Sequence, residues 1–203
     1  MYQKATKWID EEKSDGKSDF EQTTREEFQK LSHGDRENID LWKKFTDISL
    51  TETEKKLDLL NVRATYNIGE SFYEGLGLPR PLDESYPDLR YTMKDVVKEL
   101  IEKGVATANE DGSVGVIFPE ETKLPSCILQ KKDGTGLYLT SDLAAIKYRL
   151  TNGWNPKKII YSVDVRQQLH LKQAFWIAKS AWPELTENVE FFHAFNGFIK
   201  LKE

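Results

Sequence analysis

Lys157-Lys158-Ile159-Ile160-Tyr161-Ser162-Val163 carries the strongest fold signal in this chain. Its apolar residues run on almost without alternation, the pattern of a strand covered on both faces in a parallel sheet. Asp164-Val165-Arg166-Gln167-Gln168-Leu169-His170 follows and leads into a helix expected from about Arg166 to Trp182, where Pro183 stops it. Val189 to His193 then returns as a further strand. On the other side, Leu137 to Leu139 reads as a short strand. Ser141 is placed to cap a helix holding Leu143, Ile146 and Leu150, with Gly153 at its end. The order strand, helix, strand, helix, strand predicts a three-stranded parallel core with helices packed on it.

Farther out the signals change. Ser18-Asp19-Phe20-Glu21 has capping-box spacing and predicts a helix to about Leu31, stopped at His33-Gly34. Leu41, Trp42, Phe45 and Ile48 recur at helical spacing. Thr51-Glu52-Thr53-Glu54 reads as a second cap, opening a helix with Leu57, Leu59 and Leu60. These apolar residues are expected to pack into a core. Val62 to Tyr66 resembles a strand, and Gly75, Gly77, Pro79 and Pro81 punctuate a loop. Thr92 is expected to cap a helix turning Val96, Val97, Leu100 and Ile101 inward, with Gly104 past its end. Val105 to Ala108 and Val114 to Phe118, flanking Asn109-Glu110-Asp111-Gly112-Ser113, form a hairpin signal. The divisions that follow are a helical segment (1–61), a mixed α+β segment with the hairpin (62–126), and the parallel core (127–203).

Composition narrows the class without giving a function. Hydrophobic residues at 38% suit a folded protein, and a net charge of −5 argues against a broad nucleic-acid surface. The single Cys127 excludes a disulfide framework and a multi-cysteine metal site, and fits a reducing, cytoplasmic setting. No run is long enough to span a membrane.

Ligands of open parallel sheets sit beyond the carboxyl ends of the strands. Those ends read here as Tyr138-Leu139-Thr140-Ser141-Asp142, then Asp164 to His170, then His193-Ala194-Phe195-Asn196-Gly197. Acidic, amide and phenol groups together suit a polar, cationic ligand, because a carboxylate meets the planar fork of a guanidinium with two parallel hydrogen bonds. Each residue also has a structural reading. Asp142 would serve as an acid in the first turn of a helix, Glu70 as a loop acid, Tyr138 as a half-buried strand aromatic, and His170 and His193 as structural histidines. Gly75-Leu76-Gly77 lacks the third glycine of a dinucleotide fingerprint, and no phosphate-loop motif is present.

Four collinear segments carry a resemblance. They are Asp133-Gly134-Thr135-Gly136-Leu137-Tyr138-Leu139-Thr140-Ser141-Asp142-Leu143-Ala144-Ala145-Ile146-Lys147, then Ile160-Tyr161-Ser162-Val163-Asp164 continued by Gln167, His170 and Gln173. The others are Gly69-Glu70-Ser71-Phe72-Tyr73, and Gly34-Asp35 with Leu41-Trp42 and Ile48-Ser49-Leu50. Together they resemble the arginyl-tRNA synthetases over nearly the whole chain.

The resemblance implies an α/β fold. The chain would be the C-terminal half of a Rossmann-type class I synthetase catalytic domain, with an α+β connective insertion. It implies an enzyme joining L-arginine to tRNA(Arg) through an arginyl-adenylate made from ATP, with Mg2+ and without a permanently bound cofactor or metal. Asp142 would pair with the guanidinium, Tyr138 and Gln167 would orient it, and Glu70 would add negative potential. His193, Gly197 and Phe198 would lie beside the adenine of ATP. An uncharged analogue would leave the carboxylate unpaired, at a cost of about 2–5 kcal/mol.

The His-x-Gly-His and Lys-Met-Ser-Lys type motifs of the family are absent. The chain ends at Leu201-Lys202-Glu203, where the second would be expected to follow. On this reading the chain alone forms no adenylate. A non-catalytic binding or scaffolding module derived from such an enzyme is the alternative. A sheet edge left open by the missing half would invite association.

Overall fold

The computed structural model describes residues 2–12 and 18–197. The chain divides into two compact units, one formed by Met1–Phe72 with Leu76–Tyr86, the other by Tyr73–Gly75 with Pro87–Glu203.

Three helices dominate the first unit: α1 (Tyr2–Glu12), α2 (Asp19–Ser32) and α3 (Arg36–Leu59). Ser18 caps α2 as its spacing predicts, accepting from the Glu21 amide at 3.1 Å, while its hydroxyl donates to Glu12 at 2.6 Å. The helix closes at His33, and Asp35 caps α3 by accepting from the Asn38 amide at 3.0 Å.

Two expectations fail along α3. The helix passes through Thr51–Glu54 without a break, because no glycine or proline interrupts it and the Thr53 hydroxyl bonds back to the Ser49 carbonyl at 2.9 Å. Most of its apolar stripe is also not core: Leu41, Phe45 and Ile48 are exposed, Phe45 by 62%, and Leu59 at its end by 85%, while Trp42 is half-buried. What packs in this unit is the returning loop. Tyr86 is buried edge-on against Tyr66 and Phe72, with ring centroids at 5.7 and 5.2 Å. Asp47 accepts from the Leu82 amide at 2.9 Å, holding the left-handed pair Leu82 and Asp83. Val62 to Tyr66 forms no strand; it finds no pairing partner among the described residues.

A short helix, α4 (Glu70–Glu74), precedes a turn at Pro81–Asp83. In the second unit α5 (Met93–Glu102) starts with a reciprocal capping box between Thr92 and Asp95. Val96, Val97 and Leu100 are buried as expected, whereas Ile101 faces outward. Gly104 follows at φ +68°, in the left-handed region that closes a helix. The hairpin forms as β1 (Thr107–Ala108) and β2 (Val114–Val116), its turn held by Asp111 accepting from the Ser113 amide at 3.0 Å. Past a turn at Glu120–Thr122, an unanticipated strand, β3 (Cys127–Gln130), joins β2 to give a three-stranded antiparallel sheet.

The parallel part holds α6 (Tyr138–Thr151), β4 (Lys158–Asp164), α7 (Gln168–Ala181), α8 (Pro183–Thr186) and β5 (Glu190–Asn196). β4 and β5 pair in parallel from Lys158↔Glu190 to Asp164↔Asn196. The expected third strand does not exist: Leu137 is the residue before α6, and Tyr138 and Leu139 are its first turn. Its backbone is drawn into the helix start, where the Leu137 amide bonds the Leu129 carbonyl at 3.1 Å and Thr140 bonds the same carbonyl at 2.5 Å. Ser141 is therefore inside the helix rather than capping it. The core lies between α6 and its neighbours, with Leu143, Ala144 and Ile146 buried from α6, Leu171, Ala174 and Ile177 from α7, and Trp182 after it. Each fully buried Leu or Ile contributes roughly 1.5–3 kcal/mol.

Candidate functional site

β4 ends on Asp164, and Val165–Gln167 makes one tight turn before α7 starts. Asp164 fixes that turn by accepting from both the Arg166 amide and its Nε at 2.9 Å. Those bonds hold the Asp164 carboxyl below the usual carboxylate range. Gln167 is the exposed last residue of the turn, and His170 follows one helical turn later. Residues three apart share a helix face, so Gln167 and His170 lie on one side of the α7 start.

The start of α6 supplies the other half. Tyr138 is its first residue and is 77% exposed; Asp142, four residues on, occupies the same face. One contact joins the two helix starts: His170 Nε2 lies 2.5 Å from Asp142 Oδ2, with 26% and 32% of the side chains exposed. Tyr138, Asp142, Gln167 and His170 thus belong to two helix faces tied by this pair.

Tyr161 of β4 lies near enough to feel the Asp142 charge. Its hydroxyl accepts from Arg149 Nη1 at 3.1 Å, and its ring meets Phe175, which stacks on Phe191. Burial pushes the Tyr161 phenol up to about 12; Arg149 works against this and the nearby Asp142 charge adds to it. The phenol is therefore neutral at ordinary pH. The arrangement presents one partly exposed carboxylate beside an imidazole. That can hold a single cation carrying several N–H donors. No cluster of metal-ligating side chains exists among the described residues.

The remaining sequence-derived candidates fall elsewhere. Glu70 is the exposed first residue of α4, in the first unit. His193 of β5 lies with Nε2 at 3.1 Å from the Val163 carbonyl, and its buried Nδ1 has no partner among the described residues. Gly197 is exposed just after β5, and Phe198 lies outside the described residues. A cavity of about 280 Å³ lined by Tyr91, Tyr148, Thr151 and Asn152 sits at the far end of α6, about 20 Å along the helix from its start.

Sequence reasoning gave His170 a structural part and passed over Tyr161 and Arg149. Two spacings carried the missing signal: His170 three residues after Gln167, and Arg149 two helical turns after Asp142.

Comparison with known proteins bears on the whole chain. Residues 1–203 match the family described as tRNA synthetases class I (R), catalytic domain. The arginine–tRNA ligase of Fusobacterium nucleatum subsp. nucleatum is 38% identical over 197 residues, covering 97% of this chain and 30% of the relative. That of Clostridium kluyveri is 38% identical over 167 residues, covering 81% of the chain and 26% of the relative. The crystal structure of the arginyl-tRNA synthetase from Plasmodium falciparum superposes with a TM-score of 0.69 at 26% identity, covering 90% of this chain and 29% of that one. The chain therefore spans about three-tenths of the length of the relatives it matches.

Proposed function

Since this chain belongs to the family of class I arginine tRNA synthetase catalytic domains, we propose that it forms the arginine-reading part of an arginine–tRNA ligase. In that enzyme L-arginine and ATP give arginyl-adenylate, and the arginyl group passes to tRNA(Arg). ATP is a substrate, with Mg2+ accompanying its phosphates, and the setting is the cytoplasm. Among the described residues no helix is long and apolar enough to cross a membrane.

The observation that carries this reading is the Asp142 carboxylate, held half-exposed at the joined starts of α6 and α7. Asp142 pairs with the guanidinium, and Tyr138 and Gln167 orient it from the same two helix faces. His193 and Gly197 lie on the adenine side. Residues 62–126 are the connective insertion between the helical segment (1–61) and the second nucleotide-fold half (127–203). The chain contains neither a His-x-Gly-His nor a Lys-Met-Ser-Lys type motif, so by itself it reads arginine without making adenylate. The outer edges of the two-stranded sheet are where further strands or a second copy would add.

Calorimetric titration with L-arginine, L-lysine and L-citrulline tests this. Arginine should bind best, because lysine lacks the planar fork and citrulline the charge. Asp142→Asn should weaken arginine binding at least tenfold, the loss of a charge-assisted pair, without shifting the unfolding midpoint by more than a few degrees. Equal affinities for arginine and citrulline would rule the assignment out.

A further inference from the structure

Asp142 offers two carboxylate oxygens, and the fold uses only one of them. Oδ2 is bonded to His170 Nε2 at 2.5 Å, while Oδ1 has no partner among the described residues. The bond links α6 to α7 across 28 residues of sequence, so it fixes the carboxylate's rotamer from outside its own helix. The neighbours that could take over this duty are engaged. The Tyr161 hydroxyl accepts from Arg149, and Arg166 is bonded to Asp164. Gln173, one turn beyond His170, donates to the Pro125 carbonyl at 2.8 Å.

We propose that His170 is a positioning residue for arginine recognition: its neutral imidazole orients Asp142 for the guanidinium, and its protonation weakens that recognition. This rests on the arginine-reading role given to Asp142 above. A neutral imidazole with its proton on Nε2 donates to Oδ2 and leaves the full negative charge for an incoming cation. An imidazolium makes the same bond but cancels that charge, so it competes with the guanidinium. Arg149 of α6 bonds the Tyr161 hydroxyl of β4, and Asp164 pairs with Arg166 in the turn before α7. Among the described residues His170 is the histidine bonded to Asp142, so a change in its charge acts directly on arginine recognition. Protons and arginine oppose each other at Asp142, and affinity falls as pH falls.

The test is arginine titration of the full 203-residue chain from pH 8 to pH 5.5, in wild type, His170→Gln and His170→Ala. The glutamine amide donates from a similar reach but does not titrate. Wild type should lose affinity several-fold on acidification. His170→Gln should keep the affinity seen at pH 8 and show a flat profile. His170→Ala should bind about three- to tenfold more weakly at pH 8, the worth of one orienting hydrogen bond. In parallel, the NMR signals of the chain's three histidines should include one that shifts on arginine addition and disappears in His170→Gln, which reports the contact even if His170→Ala misfolds. A pH profile in His170→Gln matching wild type, or unchanged affinity in folded His170→Ala, would overturn the positioning role and leave arginine reading intact. Failure of wild type to bind arginine at every pH would overturn both.

Discussion

Thr140 and Leu129 are joined by a hydroxyl-to-carbonyl hydrogen bond of 2.5 Å with both residues at 0% exposure. It clamps the start of α6 to β3, eleven residues earlier. Removing the hydroxyl while keeping the shape should therefore loosen the helix start that carries Tyr138 and Asp142. Thr140→Val is expected to cost about 1–2 kcal/mol, the range for a lost buried hydrogen bond, in urea unfolding followed by tryptophan fluorescence. Thr140→Ser, which keeps the donor, should recover most of that loss.

A second tie lies on the far side of α6. Glu99 of α5 accepts from Lys147, from Trp182 Nε1 at 3.0 Å, and pairs with Lys103 at 3.3 Å. Partial burial opposes its ionisation, but these donors outweigh it and hold the carboxyl below its ordinary value of 4.5. A depressed carboxylate stabilises the fold above its unfolded pKa and loses that contribution as pH falls through the folded one. The stability gap between wild type and Glu99→Gln should be widest above about pH 5 and close on acidification toward pH 3. A gap that stays constant across that range would show that Glu99 ionisation is not coupled to folding.

Two phenols respond at the other end of the scale. Burial pushes Tyr91 and Tyr161 up to about 12, Tyr91 while hydrogen-bonded to Thr151 at 2.8 Å. Raised pKa values mean stability is intact below pH 10, the unfolded value, and declines as pH rises through about 12. Absorbance titration at alkaline pH should show Tyr91 and Tyr161 among the late-ionising tyrosines, and Tyr91→Phe should remove one late-ionising group.

The lone thiol should be sluggish. Cys127 pairs with Val116 across β2 and β3, and burial pushes its pKa up to about 11. Since only the thiolate reacts, a shift from 9 to about 11 lowers the reactive fraction roughly 100-fold. Alkylation at pH 8 should accelerate by about that factor in urea. Equal rates folded and unfolded would mean that the β2–β3 pairing opens readily in solution.

Local signals were legible wherever their cause is local. Ser18, Thr92 and Gly104 sit where their capping chemistry places them, and the hairpin around Asn109–Ser113 forms as its turn residues require. The parallel pair β4 and β5 and the intervening α7 follow from their apolar runs, and the candidates Tyr138, Asp142 and Gln167 lie at the starts of α6 and α7. Other readings needed partners that a window of sequence does not contain. Val62 to Tyr66 has strand composition but no strand beside it, and Leu137–Leu139 exchanged a strand for a helix start because Leu129 offered its carbonyl. The stripe Leu41, Phe45 and Ile48 has core periodicity, but whether it is covered depends on what packs against α3.

By itself, then, the sequence carried the resemblance to the family, determined the helix boundaries set by caps and glycines, and offered Asp142 as a candidate acid. The boundaries rest on residue type and spacing over a few turns. Only the tertiary structure decided that the sheet has two parallel strands, that β3 joins the hairpin, and that His170 holds Asp142. Strand pairing and a bond spanning 28 residues depend on which distant backbone and side-chain groups meet, and that choice is made by packing the whole unit at once.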